Sequence, residues 1–257
     1  MSAISIHNLW KEYPGQRVLE RVNLEVPAGQ FVAIVGASGC GKSTFLRLLL
    51  SQEKPTRGTI RLDGQRLPDD PGPDRGVVFQ RYSVFPHLTA IKNVLLGLEI
   101  AAAPLTGKLF GAARRRAIRE AETYLEAVGL ASARERYPAE LSGGMQQRLA
   151  IAQALVRKPK LLLLDEPFGA LDPGTRADMH ELILRLWRET SMTVFMVTHD
   201  IKEGFALGTR VLVFDKPRHD PQDPGAFGAT ITYDLPLGEG KHAVPAMKGK
   251  RTPCSVP

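Results

Sequence analysis

The sequence predicts an α/β fold: a mainly parallel sheet with helical crossovers, an antiparallel β subdomain, and an α-helical subdomain inserted between strands. Three observations lead there. The first residues alternate apolar and polar with period two. Residues 30–50 then pass from a buried strand through a glycine-rich loop into a helix. Short apolar strands finally return, separated by a helix, after a long helical stretch.

Taken in order, "ISIHNLWKEY" and "RVLERVNLEVPAGQ" read as strands with one buried face, split by the turn signal Pro14-Gly15. "QFVAIVGASGCGKSTFLRLLL" gives a strand, a loop and a helix with Phe45, Leu46, Leu48 and Leu49 inward. "GTIRLDGQRL" (58–67) reads as a strand and hairpin, and "GVVFQ" (76–80) as another strand. From 89 to 157 the pattern is helical: "RRRAIREAETYLEAVGL" sets Ile118, Leu125 and Val128 on one face, and "SGGMQQRLAIAQALVRKP" ends at Pro159. Strands resume with "KLLLLDEP" (160–167), "TVFMVTH" (193–199) and "RVLVFD" (210–215), the helix 175–190 lying between the first two. Residues 216–257 carry seven prolines and five glycines and read as irregular, except for "ATITYDLPL" (229–237), where Ile231, Tyr233 and Leu235 alternate. One domain over 1–215 and an irregular extension over 216–257 are therefore expected.

The 257 residues can bury a substantial core, and the composition, 43% hydrophobic and 24% charged, is that of a soluble globular protein. The longest apolar runs, "FVAIV" and "LLLL", fall far short of the roughly 20 residues that span a bilayer. The N-terminus lacks the pattern of a secretory signal, so a cytoplasmic chain is expected. Two cysteines, Cys40 and Cys254, make neither a disulfide framework nor a zinc site. The net charge of +7 suits a nucleic acid, an anionic membrane or an acidic ligand without choosing among them. Much of the excess is Lys108, Arg114, Arg115, Arg116 and Arg119, which form either a solvated helix face or a partner surface.

"GASGCGKS" (36–43) fits G-x-x-x-x-G-K-[ST] and stands between a strand and a helix, as a phosphate-binding P-loop must. Gly36, Gly39 and Gly41 permit the tight turn, and backbone N–H groups along Ser38, Cys40 and Thr44 cradle phosphates. Lys42 reaches the β- and γ-phosphates, and the Ser43 hydroxyl ligates Mg²⁺. The core is thus expected to be that of a P-loop NTPase (RecA-like). Cys40, just before a helix N-terminus, is either a reactive thiol or an inert small residue. "LLLLDEP" ends a buried strand in Asp165, suited to the Mg²⁺ shell, and Glu166, suited to activate a water in line with the γ-phosphate. His199 ends a strand expected beside that of Asp165. Gln80 ends "GVVFQ", where its amide can ligate Mg²⁺ and touch the attacking water. "LSGGMQQR" (141–148) puts two glycines at a helix mouth, a second phosphate-facing loop with no lysine of its own.

Together these motifs resemble the ATP-binding cassette (ABC) family over residues 4 to about 215. Tyr13, the P-loop, Gln80, "LSGGMQQR", Asp165–Glu166, "GALD" (169–172) and His199 follow in the family's order. The resemblance implies ATP and Mg²⁺ as cofactors, adenine stacking on Tyr13, and Glu166, His199 and Gln80 as the catalytic group. It also implies a head-to-tail homodimer in which Ser142, Gly143, Gly144 and Gln146 close over ATP held by the partner copy. "QRYSVFPHLTAIKNV", "LSGGMQQRLAIAQAL" and "DEPFGALD" look like the nitrate/sulfonate/taurine importer group. An ATPase subunit on the cytoplasmic face of the membrane is then expected. Its partners are permease subunits docking near Tyr82–Leu88 and, indirectly, an external solute-binding protein; no nucleic-acid partner is expected. The tail resembles those of cassettes serving guanidine- or urea-related uptake, which keeps that cargo open beside the first. A soluble ABC ATPase outside transport is the third reading. A GTPase lacks support, since the N-K-x-D guanine signature is missing. Thr209 departs from the aspartate usual before Arg210.

Overall fold

The computed structural model describes residues 4–79, 84–103, 107–218, 220–223 and 225–238. Strands β1 (Ile4–Tyr13), β2 (Gln16–Val26) and β3 (Phe31–Gly36) lead to helix α1 (Lys42–Leu49). Strands β4 (Arg57–Leu62), β5 (Gln65–Arg66) and β6 (Arg75–Val78) precede helices α2 (Ala90–Ala102), α3 (Gly111–Ala127) and α4 (Gly143–Leu155). Then come β7 (Leu161–Asp165), α5 (Pro173–Thr190), β8 (Thr193–Val197), α6 (Ile201–Leu207), β9 (Arg210–Asp215) and β10 (Thr230–Pro236).

Two sheets form. One is antiparallel in the order β2-β1-β4-β5; the other runs β10-β9-β3-β8-β7-β6, parallel except for β10. Strands β3, β7 and β8 are covered on both faces, which is why their sequences are continuous apolar runs. Alternate residues then serve two cores. Ala33, Leu164 and Met196 pack with the helical segment, whereas Ile34, Leu163 and Val197 pack with α1 and the antiparallel sheet. Helices α1 and α4 therefore lie on opposite faces of the parallel sheet.

The stripe expected on α3 faces the core, with Leu125 and Val128 buried and Ile118 packed against them, and two alanines join it. Ala117, Ala121 and Leu125 are its buried residues, while Ile118 is half-buried. Alanines at i, i+4 spacing let the neighbouring helices approach where a branched side chain would hold them apart. Arg114, Arg115, Arg116 and Arg119 are exposed, with Arg114 Nε 3.6 Å from Glu99.

Composition alone conceals what the segment after β9 does. Ala229 exchanges backbone hydrogen bonds with Val18 and Glu20 on β2, and β10 then pairs with β9, so the segment joins the two sheets. A register irregularity between Ile231 and Tyr233 breaks the alternation in β10. Ile231 packs toward the α1 core and Leu235 toward the helical one. Thr209 also acquires a role: its hydroxyl bridges the N–H and C=O of Phe31, both at 3.1 Å, and pins the start of β9 to β3. An aspartate carboxylate could accept the N–H but could not donate to the carbonyl.

Candidate nucleotide site

The site begins where β3 ends. Gly36 has φ +152°, and a Cβ there would come within 2.2 Å of the Phe214 carbonyl oxygen on β9. Gly41, at φ +85°, would bring a Cβ within 2.9 Å of the Val18 and Leu19 side chains. No side chain fits at either place, so the loop can turn tightly into α1. Ser38 and Gly39 are exposed at its crown, and Ser43 and Thr44 are half-buried in the first turn of the helix. Lys42 is only 7% exposed, and its Nζ donates to the carbonyls of Gly36 (2.8 Å) and Ala37 (2.7 Å). The loop thus gathers an ammonium and a helix N-terminus in one place, the arrangement that attracts phosphate.

The thiol of Cys40 is buried in the core with Phe45 and Phe214. Its burial favours the inert reading, although the Lys42 ammonium stands 3.8 Å from its sulfur.

Across the sheet, β7 delivers Asp165 to the same edge. Ser43 Oγ donates to Asp165 Oδ1 at 3.2 Å, bringing together groups 122 positions apart in sequence. Burial, and secondarily the neighbouring Glu166, push the Asp165 carboxyl up, while Ser43, Arg47 and Lys42 pull it down. Two hard oxygen donors, one of them a desolvated, repelled carboxylate, fit Mg²⁺, which takes one or two protein ligands and completes its shell with phosphate and water. Among the described residues no group of three or more His, Cys, Asp or Glu could hold a metal without such help.

An ionised Asp165 is disfavoured in the folded protein, so it binds its proton more tightly there than in the unfolded chain. Asp165→Asn is accordingly expected to raise the melting temperature at pH 7 by a few degrees. The gain should shrink as pH falls and the wild-type carboxyl takes up its proton, while hydrolysis should be lost. Calorimetry at several pH values checks this; a variant that melts below wild type at pH 7 contradicts it.

Glu166 follows in the left-handed region, φ +47°, where a non-glycine residue bears roughly 1–2 kcal/mol of strain. Its N–H donates to Val197 O (2.9 Å), and its carbonyl accepts from Gly169 N (3.3 Å). Because β7 and β8 are neighbours, His199 arrives beside it, with Nδ1 3.6 Å from Glu166 Oε2. Gln80 lies outside the described residues; the strand β6 before it pairs with β7 up to Val78–Leu164.

Tyr13 closes β1 with its ring 38% exposed. Its hydroxyl donates to Glu53, and Lys11 Nζ lies 4.8 Å from the ring centroid. Burial first, then Glu53, push the phenol up. Glu53, which also binds Lys11 at 3.0 Å, gave no signal in the sequence.

The second phosphate-facing loop is at the mouth of α4. Ser142 is the N-cap, accepting from Met145 N at 3.3 Å, and both it and Gly143 are exposed. A Cβ on Gly144 would come within 2.4 Å of the Thr175 methyl, so that glycine lets α4 meet α5. Gln146 is half-buried beside these residues. Its Nε2 donates back to Pro138 O (3.0 Å) and Leu141 O (3.2 Å), which shapes the loop. Among the described residues, no hydrogen bond or ion pair joins 141–146 to the P-loop. Asp172 caps α5 through Thr175 N (3.0 Å), and that bond holds its carboxyl below the usual range.

Beyond the strands, Phe85, Pro86 and His87 are exposed, and Phe85 is 39% open. The fully buried Asn93 holds this turn: Oδ1 accepts from Phe85 N (2.7 Å), and Nδ2 donates to Phe85 O (3.1 Å) and Leu88 O (2.9 Å). An apolar ring is thus presented on a firm base. Tyr82 lies outside the described residues. A lone asparagine in a helical pattern offered no hint of Asn93.

Comparison with known proteins agrees with this geometry. The profile of the family described as ABC transporter matches residues 19–169. The chain is 42% identical to the nitrate import ATP-binding protein NrtD of Synechocystis sp., over 97% of this chain and 90% of that protein. Against the aliphatic sulfonates import ATP-binding protein SsuB 3 of Pseudomonas savastanoi pv. phaseolicola, identity is again 42%, over 96% and 83%. Among solved structures, a dimeric structure of MJ0796, a bacterial ABC transporter cassette, superposes with a TM-score of 0.74 at 32% identity. Its post-hydrolysis state bound to ADP and Pi gives 0.73 at 30%. Each covers 91% of this chain and 98% of the other.

Proposed function

Because the chain belongs to the ABC transporter family, we propose that it is the ATP-hydrolysing subunit of an importer for a small solute of the nitrate or sulfonate kind. The observation that carries this reading is the meeting of Ser43 with Asp165 beside the Glu166–His199 pair. Phosphate-binding loop, metal-ligand oxygens and a candidate base then share one edge of one sheet. Ser43 and Asp165 would hold Mg²⁺, which neutralises phosphate charge when bound. Lys42 and the loop N–H groups bind the phosphates, Glu166 accepts the proton of the attacking water, and His199 holds the γ-phosphate end in line.

Two copies would complete each site. Helices α1 and α4 lie on opposite sheet faces, so the Ser142 loop of one copy would close over the P-loop of another. Among the described residues no helix is long and apolar enough to cross a membrane. The spanning path is therefore assigned to separate permease subunits, fed by an external solute-binding protein, with this chain peripheral on the cytoplasmic side.

The Phe85 turn is the proposed permease contact. In Phe85→Ala, ATP binding and hydrolysis by the isolated chain should stay near wild type, because Asn93 bonds only the backbone of that residue. Assembly with the permease or solute uptake should fall sharply. Normal uptake with normal assembly would move the permease contact elsewhere, and would favour a soluble ATPase if no permease binds at all.

A further inference from the structure

Behind the Glu166–His199 pair lies a set of buried polar groups with no place in the chemistry above. Glu203, on α6, is buried with its carboxylate fully engaged. Its Oε2 accepts from the Thr198 hydroxyl at 2.5 Å, and its Oε1 lies 2.8 Å from His180 Nε2 on α5. Since the partner is a carboxylate, Nε2 is the donor. Thr198 is itself buried and accepts from Asp200 N at 3.0 Å, so its hydroxyl fixes the backbone on both sides of His199. The other edge of His180 meets the segment carrying Glu166. The Phe168 ring, two residues beyond that glutamate, packs against the imidazole edge-on at 4.9 Å between centroids. Arg176, one turn earlier on α5, lines the same cleft as Glu166, His199 and Glu203, and donates to Leu171 O at 3.2 Å.

One imidazole therefore touches both segments that end in the reacting groups. Phe168 leads to Glu166 through Pro167, and Glu203 leads to His199 through Thr198. We propose that His180 is a positioning residue that sets the spacing of Glu166 and His199 by clamping these two segments to α5. The inference rests on the reading of Glu166 and His199 as the hydrolytic pair. A buried carboxylate cannot lose a donor without seeking another, so removing His180 frees Glu203 to pull on Thr198. The turn that carries His199 then shifts, and an error of an ångström in such a pair is enough to slow the reaction strongly.

The test is steady-state ATP hydrolysis by the full chain bearing His180→Leu, His180→Gln or Thr198→Val. The leucine and valine variants are expected to lose kcat by roughly 10–100-fold. Their KM for ATP should stay within about twofold, because the P-loop is untouched. Glutamine, which restores an N–H donor toward Glu203, should recover most of kcat even where it does not recover thermal stability. Thr198→Val breaks the other arm of the same carboxylate and serves if the leucine variant does not fold. A folded His180→Leu or Thr198→Val chain with wild-type kcat overturns the inference, as does a loss of kcat that glutamine fails to restore. Glu166→Gln separates the two levels. If it abolishes hydrolysis while these variants do nothing, only the positioning role fails; if it too leaves hydrolysis intact, the reading of the pair itself fails.

Discussion

Glu166→Gln is expected to bind ATP normally and to hydrolyse it about 10²–10⁴-fold more slowly, the loss typical of a missing general base. The amide keeps the size of the side chain but cannot take a proton. The backbone that aims it, with φ +47° and its bond to Val197 O, does not depend on the carboxylate. Glu166 also raises the Asp165 carboxyl by charge repulsion, so its neutralisation should ease the approach of an anionic nucleotide. The variant should accumulate as a nucleotide-bound dimer on gel filtration, with phosphate release near background. His199→Ala should fall in the same direction by less, because His199 is 3.6 Å away and largely exposed, and on the proposed mechanism it only orients the γ-phosphate while Glu166 takes the proton. Turnover at the wild-type rate in Glu166→Gln would remove it from the role of base.

Lys42→Ala and Ser142→Arg should each be nearly inactive alone, yet partly active when mixed. Loss of the Lys42 ammonium takes away a charge aimed at the phosphates, an effect on the order of 10²–10³-fold. Arginine at 142 removes the N-cap of α4 and fills the mouth of the loop. In a homodimer of either variant both composite sites are damaged. A mixed dimer instead concentrates both lesions in one site and leaves the other whole. Activity of the mixture should exceed that of either parent, rising toward about a quarter of wild type at equal mixing if the two sites turn over independently, because half of the dimers are mixed and each has one whole site. Phosphate release across a series of mixing ratios measures this. Full activity of Ser142→Arg by itself would show that this loop never meets nucleotide.

Local chemistry made much of this legible from the chain alone. "GASGCGKS" between strand and helix needs no tertiary information, because each residue's task depends on its immediate neighbours. The same holds for the buried runs of β3, β7 and β8, whose continuous apolarity already implies cover on both faces. Other features needed the packing. Cys40 was ambiguous because the loop's neighbours, Phe214 on β9 and Val18 on β2, come from distant parts of the chain. Gln146 braces its own loop through the carbonyls of Pro138 and Leu141, contacts that the turn before α4 sets and no sequence pattern records. Alternation in β10 misled because a single register irregularity exchanges the two faces of a strand.

Periodicity and short-range spacing were enough for the α/β class, the order of strands and helices, the glycine-rich loop and the acidic residues at the end of β7, since each depends on near neighbours in the chain. Only the tertiary structure decided that Ser43 meets Asp165, that His199 stands 3.6 Å from Glu166, that Asn93 presents Phe85 and that His180 bridges two segments through Glu203. Strand order in a parallel sheet sets such meetings. Neighbouring strands come from remote stretches of chain, and no local pattern records which ones lie side by side.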